Sequence, residues 1–201
     1  MTDTLSRNQR RLTREDLLRP AEYAVVRNDR RKRITEIKRR RRLGVGPFAT
    51  FYFENYETMQ HQVQEMLHIE HGGEAQIEDE FAAYNPLIPQ GNELVATVMF
   101  EIDDPARRAS ALARLGNIEH HVFFDVVGQR IQGEPDPTRE NTSPEGKASS
   151  VQFLRFPFTE DQIALFKTSG TRVIAGFDHP NYGHMAILPE PVRTALAEDF
   201  D

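Results

Sequence analysis

The pattern of apolar residues along the chain predicts six β-strands. The most regular run, 93–102, places apolar side chains on both of its faces, which is typical of a strand in the centre of a sheet. Shorter runs rich in aromatic and β-branched residues are bounded by Gly, Pro, Asn and Asp, as strands commonly are. The predicted strands cover 48–54, 93–102, 121–127, 151–158, 172–177 and 184–188.

Apolar residues at helical spacing predict helices before and between these strands. The longest predicted helix runs from about 21 to 42, and its apolar stripe is narrow, so most of its circumference is expected to face water or a partner. Gly44, Gly46 and Pro47 are expected to end it. The other predicted helices cover 13–20, 55–71, 74–84, 105–115, 159–167 and 190–199.

These elements predict an α+β fold: an antiparallel or mixed sheet of about five to six strands, with helices packed on it and a basic N-terminal helical arm. A length of 201 residues is that of one domain. The expected organisation is a mobile arm at 1–12, a basic helical segment at 13–45 and an α+β core at 46–201. The polar connection 129–148 is long enough to favour disorder over a functional loop.

Charge is strongly segregated along the chain. Residues 1–45 carry 15 Lys and Arg against 6 Asp and Glu, whereas the remaining residues carry 10 against 25. Between Leu43 and Ala106 there are 12 acidic residues and no Lys or Arg. Such asymmetry indicates an interaction, although it does not identify the partner.

The run of basic residues at 30–42 has two interpretations. The residues concerned are Arg30, Arg31, Arg33, Lys38, Arg39, Arg40, Arg41 and Arg42. One interpretation is nucleic-acid binding, because a basic helix of 30–42 could neutralise several phosphates. The overall acidity of the chain and the absence of aromatic residues within the run count against it. We favour the other interpretation, in which the basic helix pairs with the chain's own carboxylates or with those of a second copy.

The helix predicted at 55–71 carries a candidate metal site. His61, Glu65 and His68 follow each other at helical spacing, and His71 lies one turn further. Two imidazoles and a carboxylate suit iron or zinc. The apolar residues of this helix lie on its opposite side, and no second Glu-x-x-His motif exists. A solvated face is therefore the favoured interpretation, and a metal site on the surface or between subunits is the alternative.

A second cluster of reactive groups lies in the connection between the last two predicted strands. Asp178, His179, Tyr182 and His184 offer a carboxylate, two imidazoles and a phenol, which suit acid–base catalysis. The favoured interpretation is a turn in which Asp, Pro, Asn and Gly serve the backbone. The cluster is thus a weak candidate catalytic site.

Several classes of protein are excluded by composition. The chain contains no Cys, which rules out disulfides, thiolate metal sites and a Cys nucleophile. No phosphate-binding glycine loop, nucleophile elbow or zinc-protease motif occurs. No apolar run approaches the length of a membrane helix, and the N-terminus lacks the apolar segment of a secretory signal. A reducing, cytoplasmic compartment is the expected location.

Five segments of the chain carry a family resemblance: 30–41, 45–54, 64–66, 84–89 and the closing His179-Pro180-x-Tyr182. Together they resemble a bacterial domain-of-unknown-function family, 3501, over nearly the whole chain. The resemblance implies no assigned activity or catalytic residue. Genes of that family often lie beside genes for rubrerythrin and an iron–sulfur oxidoreductase, so the resemblance implies a cytoplasmic accessory role in redox or peroxide defence.

The sequence therefore favours an accessory or interaction protein over an enzyme. It is expected to self-associate through the basic helix and to act with redox partners, without contact with a membrane. The alternatives are a metal-binding protein or enzyme that uses the helix 57–71, and a nucleic-acid-binding protein that uses 30–42. No cofactor is required by the sequence, although a metal ion is compatible with it.

Overall fold

Two antiparallel sheets form the framework of the chain in the computed structural model, which describes residues 10–201. The strands are β1 (Arg42–Val45), β2 (Ala49–Glu54), β3 (Glu93–Phe100), β4 (Val122–Val126), β5 (Gln129–Gln132), β6 (Glu134–Pro135), β7 (Val151–Pro157), β8 (Val173–His179) and β9 (Tyr182–Ile187). The five-stranded sheet has the order β1-β2-β3-β7-β6, and the four-stranded sheet has the order β5-β4-β8-β9. The strand predicted to be central, β3, lies in the middle of the larger sheet.

Six α-helices within the described range connect and cover the sheets. They are α1 (Pro20–Arg39), α2 (Tyr56–Glu70), α3 (Gly73–Tyr84), α4 (Pro105–Leu112), α5 (Glu160–Lys167) and α6 (Glu190–Ala197). The side chains of Asn55, Asp104 and Thr159 accept a hydrogen bond from the backbone three residues later, so each of them caps a helix. None of the described helices is long and apolar enough to cross a membrane.

The space between the two sheets is filled by aromatic side chains. Phe124 of the four-stranded sheet packs edge-on against Phe156 of the five-stranded sheet, with ring centroids 4.8 Å apart. Phe51 and Phe177 make a similar contact across the sheets at 5.4 Å. All four rings are fully buried. This inter-sheet core therefore supplies most of the apolar burial that stabilises the fold.

A second, smaller core lies on the other face of the five-stranded sheet. There α2 and α3 cover the sheet, and Met59, Val63, Phe81 and Leu87 pack over Val95 of β3. Because successive residues of β3 point to opposite faces, Leu94 and Ala96 enter the inter-sheet core while Val95 enters the helical layer. The apolar residues on both faces of 93–102 are thus explained by the burial of β3 on both sides of the sheet.

The α+β class is confirmed, but several predicted boundaries were wrong. Residues 42–45, assigned to the basic helical segment, form β1, because Leu43 and Val45 alternate inward while Arg42 and Gly44 face solvent. The connection 129–148 contributes β5 and β6 instead of being wholly irregular. Nine described strands form two sheets where one sheet of five to six was expected.

The N-terminal segment also differs from the expected mobile arm followed by a basic arm. Residues 1–9 lie outside the described range, but Leu12 is buried and its amide donates to the Asn85 side chain at 2.7 Å. The basic helix α1 lies against α2 and buries Tyr23 and Ile34. The basic helix is therefore packed on the fold through its apolar side and is not a free arm.

Candidate functional site

The interface between α1 and α2 is organised around one carboxylate, Glu65. The Arg27 guanidinium donates two hydrogen bonds to it, at 2.9 and 2.8 Å, and the Tyr23 hydroxyl donates a third at 2.6 Å. The Arg27 contact, with the Tyr23 bond, lowers the pKa of Glu65 to about 2 although burial opposes the shift. Burial, together with Glu65, raises the pKa of Tyr23. Glu65 thus holds the basic helix on the fold.

Part of the basic run finds its counter-charges within the chain. Arg33 reaches Glu57 of α2 at 2.5 Å, and the buried Arg41 pairs with the buried Asp199 near the C-terminus. Arg41 also donates to the backbone carbonyls of Phe53, Glu54 and Ala195. Arg41 is thus inaccessible to an outside partner, contrary to its assignment among the contact residues, because it fastens β2 to α6. Lys32 and Arg39 pair locally, each with an acid three residues earlier.

The remaining basic residues of this run form no ion pair with a carboxylate in the described part of the chain. They are Arg30, Arg31, Lys38, Arg40 and Arg42. Arg31, Arg40 and Arg42 are exposed, whereas Arg30 and Lys38 are half-buried. The basic helix therefore pairs with the chain's own carboxylates only in part. A group of cations stays available to a ligand or partner.

The His/Glu face of α2 does not form the predicted metal constellation. Glu65 is engaged by Arg27 and Tyr23, and the His68 ring packs edge-on against Tyr23 with centroids 5.7 Å apart. Burial lowers the pKa of His61, and His71 is exposed at the end of α2. Within residues 10–201 no three His, Asp or Glu side chains are placed to hold a metal ion.

The same face was also expected to be solvated, and that expectation was wrong. The side chain of Glu65 is only 14% exposed because α1 covers it. Sequence reasoning missed the packing of α1 over Glu65, because Arg27 and Glu65, which form the ion pair, lie 38 positions apart. Helical periodicity describes one helix at a time and does not show which element lies over its polar face.

The candidate catalytic residues of the last hairpin separate onto two faces of the four-stranded sheet. Tyr182 is buried, donates to the Val45 carbonyl at 2.8 Å and accepts from the Ala49 amide at 3.0 Å. His184 is exposed and packs on the Tyr182 ring, with centroids 4.6 Å apart. Asp178 lies on the opposite face of β8. Tyr182 therefore serves to join the two sheets.

Asp178 instead meets two residues that sequence reasoning did not select. Its carboxylate oxygens contact His121 Nδ1 at 3.0 Å and the Arg130 guanidinium at 2.5 Å. Burial opposes the shift, but these contacts lower the pKa of Asp178. The neighbouring His179 ring contacts the Gly116 carbonyl at 3.2 Å. No Ser or Thr hydroxyl of the described chain is hydrogen-bonded to either imidazole, so this cluster lacks the nucleophile of a hydrolase site.

A buried carboxylate on the outer face of the five-stranded sheet was also missed. Glu54 ends β2 and is 8% exposed. One of its oxygens accepts from the Thr58 hydroxyl at 2.7 Å and the other from the Thr97 hydroxyl at 2.8 Å. The only signal in the sequence is an acid on the same strand face as Tyr52, in a segment that also carries the family resemblance. A buried carboxylate that pairs with hydroxyls instead of a cation is unusual, because buried charges are generally paired with an opposite charge.

Fold and side-chain geometry together define an α+β protein of two antiparallel sheets, with a basic helix whose cations are only partly paired with carboxylates. The family model described as "Protein of unknown function (DUF3501)" matches residues 11–200, and the chain belongs to that family. The resemblance drawn from the sequence is thereby confirmed.

A solved structure supports the fold independently. It is described as a novel protein of unknown function from Burkholderia pseudomallei K96243, and it is 37% identical to this chain with a TM-score of 0.87. The alignment covers 94% of this chain and 99% of that one. No curated protein matches the chain significantly. The comparisons thus establish family and fold and assign no activity.

Proposed function

We propose that this protein is an interaction protein that binds an acidic surface of a partner protein through the exposed cations of α1 and β1. The observation that carries the proposal is the group of cations without a carboxylate partner in the described chain, beside others that are paired. Arg31, Arg40 and Arg42 are exposed members of this group. Ion pairs across such an interface would set association rate and partner choice more than affinity.

The composition of the exposed side of α1 favours a protein partner over a nucleic acid. Asp29 and Glu36 lie among its cations and form ion pairs with them. Val25 is 84% exposed on the same helix. Carboxylates would repel a phosphate backbone, whereas mixed charges around an apolar side chain are usual in a protein interface. Nucleic-acid binding therefore becomes an outcome that the experiment must distinguish.

Two kinds of partner are proposed for this surface. The first kind is a redox protein. The family resemblance suggests rubrerythrin and an iron–sulfur oxidoreductase as the first partners to test for binding. The second is another copy of this chain, because 25 of the 31 acidic residues lie outside the basic segment 1–45. Sedimentation at low and high salt tests the second kind, since an ion-paired dimer must dissociate as screening increases.

The experiment compares two double charge reversals in the full chain. Arg40→Glu with Arg42→Glu alters the proposed surface, and Lys147→Glu with Arg172→Glu makes the same charge change at exposed residues elsewhere. Binding of each purified candidate partner, and of the chain to itself, is measured between about 50 and 200 mM salt, a range over which multi-contact electrostatic binding weakens strongly. We expect the first variant to lose binding and the second to retain it.

Two results would contradict the proposal. Equal loss in both variants would show that net charge alone governs binding. Tight binding of duplex DNA or RNA that weakens steeply with salt, and that only the Arg40/Arg42 variant loses, would assign the surface to nucleic acid instead.

A further inference from the structure

A cavity of about 420 Å³ lies between the outer face of the five-stranded sheet and the helical layer. Its floor includes Tyr52, Thr97 and Phe153, which are neighbours in register across β2, β3 and β7. Met59 of α2 and Met99 of β3 also line it. Its volume lies within the usual range of small-molecule sites, about 300–1,000 Å³, and its walls are mostly apolar, as in such sites.

A few polar groups converge on this apolar space. Glu54 lines the cavity with its two oxygens held by Thr58 and Thr97. Each carboxylate oxygen accepts more than one hydrogen bond, so Glu54 retains acceptor capacity for a ligand. Gln62 and Tyr84 also line the cavity, and their mutual hydrogen bond is long at 3.5 Å. Their amide and hydroxyl groups are thus only weakly engaged with each other.

Lys38 supplies the cavity with a positive charge. It lies near the C-terminal end of α1, is half-buried, and forms no ion pair with any carboxylate of residues 10–201. A partly desolvated ammonium beside aromatic and thioether side chains favours an anion, because the surrounding medium screens the charge less than water does. The cavity therefore offers an apolar floor and two cations, the unpaired Lys38 and the Asp199-paired Arg41, against the single carboxylate of Glu54.

Two other cavities among the described residues lack this combination. A groove of about 660 Å³ is lined by Glu101, Asp103 and Arg107, whose side chains are exposed. A cavity of about 340 Å³ beside α1 is lined by Arg14 and Glu74, which pair with each other. A buried carboxylate distinguishes the cavity at Glu54, because the buried polar side chain of the smaller cavity, Gln64, is neutral and already bonded to the Leu18 backbone.

We propose that this cavity binds a small organic anion with a planar apolar body, of the class of aromatic carboxylates. The anionic group pairs with Lys38, the ring lies on Met99 and Phe153, and Glu54 accepts a hydrogen bond from an N–H or O–H of a substituted ligand. Of the unpaired cations in the described chain, only Lys38 lines this cavity, so the proposal does not depend on partner binding through the exposed Arg31, Arg40 and Arg42.

The methionine methyl groups locate the ligand without a loss-of-function variant. The chain has five methionines. Met59 and Met99 line the cavity, whereas Met66 and Met185 do not, and Met185 is 63% exposed on the four-stranded sheet. The full chain, labelled with ¹³C at the methionine methyls, is titrated with 2-naphthoate and followed by NMR. We expect saturable shifts at Met59 and Met99 only.

Charge dependence is tested with two matched variants. Lys38→Gln is expected to weaken 2-naphthoate binding about tenfold or more, the loss typical of one charged hydrogen-bonding contact. Lys32→Gln removes the same charge from the exposed side of α1 and is expected to leave the affinity unchanged. The uncharged 2-naphthamide is expected to bind wild type with the affinity that 2-naphthoate shows for the Lys38→Gln variant.

Three outcomes would overturn the proposal. They are the absence of saturable binding up to millimolar ligand, shifts centred on Met66 or Met185, and equal affinities of the wild type and the Lys38→Gln variant. Because none of these measurements involves a protein partner, their failure would leave the proposed function of the α1 surface standing, and the reverse also holds.

Discussion

The five-stranded sheet is packed on both faces, and the two packings differ in chemistry. On its inner face Leu94, Ala96 and Val98 are fully buried against the aromatic side chains of the four-stranded sheet. On its outer face the intervening Thr97 hydroxyl serves a buried carboxylate, and the helical layer is held partly by ion pairs. One strand thus faces an apolar interior on one side and a polar layer on the other.

This difference separates stability from recognition. Apolar burial is non-directional and independent of pH, so the inter-sheet core sets the overall free energy of unfolding. Hydrogen bonds and ion pairs in a layer of low dielectric are directional and respond to pH, and they become costly when one partner is lost. The cavity at Glu54, the Glu65 pair and the unpaired cations all lie in the helical layer or beside it.

The largest expected effect comes from truncating one ring on each face of β7. Phe156→Ala removes a fully buried ring from the inter-sheet core and is expected to cost about 3–5 kcal/mol in the free energy of unfolding. Phe153→Ala, on the outer face, removes a half-buried ring and is expected to cost about 1–2 kcal/mol. Urea denaturation measures both.

The same pair of variants tests whether the inner face of the five-stranded sheet provides stability while its outer face provides ligand binding. Phe153→Ala is expected to weaken 2-naphthoate binding, since Phe153 forms part of the cavity floor. Phe156→Ala is expected to retain that binding under conditions in which the variant stays folded. If both variants lost stability and binding to the same extent, the distinction between the two faces would be wrong.

An intermediate effect is expected from acid. Arg27 and Tyr23 lower the pKa of Glu65 from 4.5 to about 2 in the folded chain. Because the folded-state pKa is the lower one, this contribution is complete above about pH 5 and is lost as the pH falls toward 2. It is expected to amount to on the order of 2 kcal/mol.

The Glu65→Gln variant isolates that contribution from the other carboxylates. Urea denaturation at pH 7, 5 and 3 should show a stability gap between wild type and variant that is widest at pH 7 and narrows toward pH 3. A gap that stayed constant with pH would mean that the charge of Glu65 does not stabilise the α1–α2 interface.

The smallest expected effect concerns a single hydroxyl on the outer face. Thr97→Val leaves one oxygen of the buried Glu54 without its donor and is expected to cost about 1–2 kcal/mol. Thr50→Val is the matched control, because the Thr50 hydroxyl serves the exposed Glu101, and it is expected to change stability by less than about 0.5 kcal/mol. Equal costs in thermal denaturation would show that burial of Glu54 is unimportant.

Much of the fold could be predicted because its signals are local. The alternation along 93–102 identified β3 and its two buried faces, and helical spacing placed the helices that begin after Asn55, Asp104 and Thr159. The strands β1, β5 and β6 were missed because they are short, and their polar or glycine-containing sequences resemble loops. Such strands form only when a neighbouring strand supplies their hydrogen bonds.

The candidate sites could be predicted only as sets of residue types. Asp178 was selected with Tyr182 and His184 because they are close in sequence, yet the pleat of the strands sends them to different faces. Its contacts, His121 and Arg130, come from other elements. The role of Glu54 was invisible because Thr97 lies 43 positions away.

The sequence by itself determined the α+β class, the central strand, the approximate positions of the helices, the charge segregation and the membership of a family. Only the tertiary structure decided which cations are paired, which carboxylates are buried and where a cavity remains. The physical reason is range: hydrophobic periodicity and capping act between residues a few positions apart, whereas burial and ion pairing depend on elements that meet only when the chain has folded.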